Sequence, residues 1–245
     1  MKIRVYNDNK ECTITSEEYL HKNKDVSFLM DKSLNDFSII ETDEKYKLHL
    51  NVLPHPYFGN IVNPDILIIA KNPSYAENED EQDTYLYLKN HSNALDNYFE
   101  ELSKVDFFES WSKKENQSFF NAWNWWNKKV IQGVKLKDES KTIGIINLCG
   151  YHSRYFTKKH YENFPFKTEE ELVELINNAK LVIFVWEGAL LSKIKEKMKN
   201  TNYIILNQCK NGKYGTNINS LKKIVSGEYD YIYQEQSRII KEFFK

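Results

Sequence analysis

Four short apolar runs constrain this 245-residue chain more than any other feature. They are DILIIA at 65–70, TIGIINL at 142–148, LVIFVW at 181–186 and NYIILN at 202–207. None alternates strictly between apolar and polar residues, so none suits a sheet with one wet face. Continuous apolar strands belong in a sheet covered on both sides, and such sheets are parallel. Helical spacing lies between the runs. Residues 84–105, 117–132, 168–179 and 189–200 place apolar side chains three and four apart, and Thr168 with Glu171 forms a capping box. QEQSRIIKEFFK at 234–245 also reads as a helix. Strands alternating with helices give a parallel sheet with right-handed crossovers. The expected fold is therefore α/β: three layers, α/β/α, around a short central parallel sheet of about four strands.

No repeat, low-complexity tract or Pro/Gly/Ser linker divides the chain, so it reads as a single domain over 1–245. Residues 1–60 form an N-terminal extension, a hairpin or helix packed on the sheet. Residues 61–225 form the core, and 226–245 a C-terminal helix. A chain of this size can bury about 70–75% of its unfolded surface and needs no metal or disulfide to stay folded. Cys12, Cys149 and Cys209 lie far apart, without the spacing of a zinc site or a disulfide framework. The expectation is no metal, no cofactor and a cytoplasmic location. MKIRVYNDNKE lacks an apolar signal core, and no run approaches the ~20 apolar residues of a membrane span, so no membrane partner is expected.

In open α/β sheets the ligand site lies beyond the carboxyl ends of the strands. Four loops leave those ends: KNPSY, CGYHSRYF, EGA and QCKNGKYGTN. Asn72, Pro73 and Ser74 suit a helix cap. They equally suit a rigid turn that aims the Asn72 amide into the crevice. An amide can hold a water through its carbonyl oxygen but cannot act as a base. It fits a reaction whose transition state is already cationic. Asn147 ends the second strand, either as a locally satisfied amide or as a reader of a planar base. His152 follows on a loop, where a partly exposed histidine is the ordinary outcome. Lys210, Asn211, Lys213 and Tyr214 lie in a glycine-containing loop that can grip phosphate or be a solvated turn. Tyr57 and Phe58 follow two prolines, and this stiff extended loop either lines the crevice or plugs the sheet edge. Trp123, Trp125 and Trp126 on a predicted helix read as core.

The order of these strands and loops resembles the uracil-DNA glycosylase superfamily over about residues 65–220. Its water-positioning motif reads G-Q-D-P-Y, or G-x-N-P-G in the mismatch-specific branch. Here the corresponding residues are Ala70-Lys71-Asn72-Pro73-Ser74. IGIINL sets Asn147 where the family places its base-reading Asn, and LVIFVWEGALLSKI is similar to its third strand. Two features depart from the pattern. Ala70 and Ser74 replace glycines, and no H-P-S motif follows the last strand.

The resemblance implies a DNA glycosylase-like protein, acting on duplex or single-stranded DNA. It flips a damaged, deaminated or modified base and hydrolyses its N-glycosidic bond without a covalent intermediate. Asn72 positions the water, and Asn207, Gln208, loop amides or Lys210 stabilise the departing base. Asn147, Tyr57, Phe58, Ser74, Tyr75 and His152 hold the base. Lys71, Arg154, Lys210, Asn211, Lys213 and Tyr214 contact DNA. A net charge of −1 argues against strong non-specific nucleic-acid binding, although Lys and Arg gather at 154–159 and 193–223. A catalytically silent DNA-binding module is one alternative. A small-molecule nucleoside or nucleotide enzyme is another, and a structural or interaction protein whose aromatics form a partner surface is the third.

Overall fold

The computed structural model describes residues 2–7, 10–15, 49, 52, 55–73, 75, 80, 102, 134–148, 150, 152–155, 169–185, 189–199, 202–206, 219–227 and 234–245. Two sheets lie among them. Strands β1 (Lys2–Asn7) and β2 (Lys10–Thr15) pair as an antiparallel hairpin. The second sheet has five strands: β3 (Tyr57–Gly59), β4 (Ile66–Ala70), β5 (Ile143–Asn147), β6 (Leu181–Phe184) and β7 (Tyr203–Ile205). Their order is β3-β5-β4-β6-β7. Strands β5, β4, β6 and β7 run parallel, the four that the apolar runs predict. The sheet is nevertheless mixed, because β3 adds an antiparallel edge against β5. The expected all-parallel sheet is corrected accordingly, and the fold is α/β with a mixed five-stranded sheet.

Every residue of β4, β5 and β6 is buried, as unbroken apolar strands require. Full burial of one Ile, Leu or Val contributes about 1.5–3 kcal/mol, so these strands are the core. Among the described residues, helices α1 (Glu169–Asn178), α2 (Ala189–Lys197), α3 (Asn219–Val225) and α4 (Gln234–Phe243) accompany the sheet. Each buries one stripe, for instance Leu172, Leu175 and Ile176 on α1 and Ile240 on α4. The C-terminal residues are tied back by reciprocal backbone bonds between Lys135 and Lys245. Of the helix expected over 84–105, Leu102 is described, helical and buried. The helix expected over 117–132, with its tryptophans, lies outside the described residues.

Two local devices set the register. Asp65 stands at the amino ends of three strands. Its carboxylate accepts from Thr142 N at 2.9 Å and Lys180 Nζ at 2.7 Å, while its backbone oxygen accepts from Leu181 N. Burial alone would raise this carboxyl. Hydrogen bonds from Lys180 and Thr142, with the charges of Lys180 and Lys141, hold it below the ordinary value instead. The second device is Gly144, opposite Gly59 in the β3–β5 pair. A Cβ at 144 would lie 2.3 Å from the Asn60 backbone oxygen, where the chain turns out of β3 through Gly59 at φ 70°. The edge strand docks because position 144 carries no side chain.

Two outcomes follow. Asp65→Ala should cost about 2 kcal/mol, the worth of charge-assisted bonds at a largely covered site. Because folding depresses this carboxyl, the wild-type advantage is complete above pH 3.8, the unfolded value, and vanishes as pH falls below it. Chemical denaturation of both proteins at pH 7 and near pH 3 checks this. Gly144→Ala should cost about 3 kcal/mol, the upper range of overpacking, since backbone rather than a mobile side chain must yield. A lowered melting temperature would register it.

Candidate functional site

The strand order reverses at β4, which has β5 on one side and β6 on the other. Carboxyl ends at such a reversal open onto a crevice. Asn147 closes β5 directly beside Ala70, the last residue of β4. Its Nδ2 donates to the His55 carbonyl at 2.7 Å, and its backbone N–H donates to Pro56 O at 2.8 Å. A carbonyl only accepts, so this contact decides which end of the amide is nitrogen. Asn147 Oδ1 is buried and accepts no hydrogen bond from any described residue. An orphaned buried acceptor costs about 1–3 kcal/mol, a cost that a ligand N–H would remove.

Asn72 repeats the pattern two residues beyond β4. Its Nδ2 donates to Pro73 O at 2.9 Å and to Ser153 Oγ at 2.8 Å. Ser153 Oγ spends its own proton on Tyr155 O at 3.0 Å, so it must accept from Asn72. The two loops are also sewn together by backbone, with Ser153 N donating to Pro73 O and Tyr75 N to Ser153 O, each at 3.3 Å. Among the described residues no donor reaches Asn72 Oδ1. Its nitrogen is thus anchored, and its oxygen accepts from no described residue.

Histidines lie between the two amides. His152 is buried, with Nδ1 3.1 Å from Asp80 Oδ2. The expected partly exposed loop histidine is thus corrected: a bridge to His49 draws residue 152 inward, and a buried carboxylate meets its ring. The His55 ring stands edge-on to His152 at 4.6 Å and tilted against Phe58 at 5.2 Å. Burial, then the neighbouring charge of His152, pushes His55 well below the usual imidazole value. Tyr75 stacks on His49 with centroids 3.3 Å apart.

Tyr57 and Phe58 are not on a loop. They are buried in edge strand β3, and burial raises the Tyr57 hydroxyl. Lys71 is partly buried, and desolvation lowers its ammonium. Arg154 and Tyr155 are exposed. Ser74, Asn207, Gln208, Lys210, Asn211, Lys213 and Tyr214 lie outside the described residues. His55, Asp80 and Ser153 join the site without having been singled out as site residues by sequence. His55 was signalled only by its place between two prolines, and Asp80 only by membership of an acidic block.

Among the described residues no group of three or more His, Cys, Asp or Glu is arranged to hold a metal ion. Nor is any helix among them long and apolar enough to cross a membrane. No protein-family model matches the chain, and neither a curated protein nor a solved structure gives a match.

The His55 environment predicts a pH response. Folding holds this imidazole neutral, so below about pH 6.5 the unfolded chain binds a proton that the folded chain does not. Stability is complete above that pH and declines below it. His55→Phe, which keeps the backbone contacts to Asn147 and Gly150, should flatten the decline between pH 6.5 and 5 in a thermal-melt series.

Proposed function

We propose that this chain is a monofunctional DNA glycosylase-like hydrolase with a uracil-DNA glycosylase-like core, which flips one nucleotide and hydrolyses its N-glycosidic bond. One observation carries the reading. Two amides, one ending β5 and one two residues beyond β4, each have nitrogen anchored to a loop carbonyl and oxygen left without a described donor. An amide so held is a directional acceptor. Asn147 Oδ1 accepts an N–H from the edge of a planar base, and Asn72 Oδ1 aims a water.

The chemistry suits such weak groups. As the glycosidic bond stretches, the sugar becomes oxocarbenium-like and any well-placed water captures it. Position then matters more than basicity, and a neutral amide supplies position. Flipping costs a few kcal/mol of stacking, which contacts in the site offset. Arg154, exposed on the loop that carries Ser153, is the side chain this reading assigns to phosphate.

Burial of Asn147, His55 and His152 favours a second reading, a hydrolase of free nucleosides, because a site so enclosed admits a single base as readily as a flipped one.

Duplexes carrying uracil, hypoxanthine or a hydroxymethylated base, scored on gels for abasic product beside free nucleosides scored for released base, separate these readings. Binding without cleavage would mark a silent DNA-binding module. On the duplex that is cut, Asn72→Ala should lower single-turnover excision about 100-fold, the scale of a lost positioned group, with duplex affinity changed less than about threefold. An unchanged rate would remove Asn72 from the mechanism.

A further inference from the structure

Hydrolysis of an N-glycosidic bond leaves the bonding electron pair on the base. The base departs as an anion unless a proton meets it, and neither amide of the site has a proton to give. The candidate for that role is the buried pair His152 and Asp80. Their 3.1 Å contact joins Nδ1 to a carboxylate oxygen. With Asp80 accepting as a carboxylate, Nδ1 would carry the hydrogen and proton exchange with a ligand would run through Nε2.

Position supports the role. His152 precedes Ser153, which holds Asn72, and its ring packs on His55, whose carbonyl holds Asn147. The imidazole thus lies on a chain of contacts that joins the two amides. The titratable groups facing its ring among the described residues are Asp80 and His55, while His49 meets it through the backbone. His55 is held below the usual imidazole value, by burial first and by the charge of His152 second, while the His152 ring faces the Asp80 carboxyl group. The carboxylate side of the pair belongs to His152.

We infer that His152, oriented by Asp80, is the general acid that neutralises the departing base, an assignment that rests on the glycosylase reading. The C1′–N bond breaks and its electron pair passes to the base. The Nε2 proton of the His152 imidazolium transfers to the base, leaving a neutral ring still hydrogen-bonded through Nδ1 to Asp80. The water aimed by Asn72 adds its oxygen to C1′ and releases a proton to solvent. Solvent returns one proton to His152.

Single-turnover excision across pH 5–8, on whichever uracil, hypoxanthine or hydroxymethylated duplex the wild type cuts, tests this. His152→Gln should lower the rate about 100-fold, the scale of general acid catalysis, and remove one ionisation from the pH profile. Its duplex affinity should stay within about threefold of wild type. Asp80→Asn should lower the rate about tenfold and displace the same ionisation. A folded His152→Gln protein with wild-type rate and profile overturns the assignment while leaving the glycosylase reading intact. If that variant does not melt cooperatively, Asp80→Asn decides by the same criteria, and a wild-type rate that is flat across pH 5–8 overturns the assignment without any variant. No excision by the wild type on any duplex removes the glycosylase reading and this inference together.

Discussion

The parallel ladder between β4 and β5 is the contact on which the rest of the molecule depends. It pairs Ile66 with Ile143 and continues to Ala70 and Asn147, and Leu148 N extends it to Ala70 O. The paired residues lie 77 positions apart in the chain. Because the register is parallel, both strands finish at the same height, and the loops that leave them are forced side by side. The bond from Asn72 to Ser153 exists only because those loops emerge together. At the opposite end Asp65 and Thr142 exchange bonds and close the ladder from below. A one-residue slip would turn Asn147 to the other face of the sheet and dissolve the site.

The two ends of the sheet manage polarity differently. At the amino end the charges are satisfied: Asp65 gathers two lysines and a threonine. At the carboxyl end buried polar groups are oriented but not all satisfied, with Asn147 Oδ1 the plain instance. Proteins hydrogen-bond nearly all such atoms, so this exception at a strand reversal is the feature on which the proposed ligand contact rests. The anchoring of each amide nitrogen limits reorganisation on binding, which is where a positioned acceptor gains its advantage over a mobile one.

The four parallel strands could be read from the sequence because each is an unbroken apolar run, and a run buried on both faces needs no tertiary information to be recognised. The positions of Asn72 and Asn147 at strand ends follow from the same runs. Strand β3 could not be read in this way. It has three residues, stands just after Pro54 and Pro56, and pairs only because Gly144 leaves room for the Asn60 backbone. The His152–Asp80 contact spans 72 positions and depends on a bridge to His49, so no local spacing announces it. Helix α3 was also missed, being seven residues long, with Leu221 and Ile224 its described buried side chains.

The central claim is that Asn72 and Asn147 serve one bound nucleotide, one through its sugar and the other through its base. Side-chain amide signals of the ¹⁵N-labelled protein, followed during titration with uracil-, hypoxanthine- and hydroxymethyluracil-containing duplexes and with an unmodified duplex, test it most directly. The account predicts that at least one modified duplex moves both Asn72 and Asn147 signals together, while the unmodified duplex moves neither. Movement of one signal without the other, or of neither with any duplex, would contradict it.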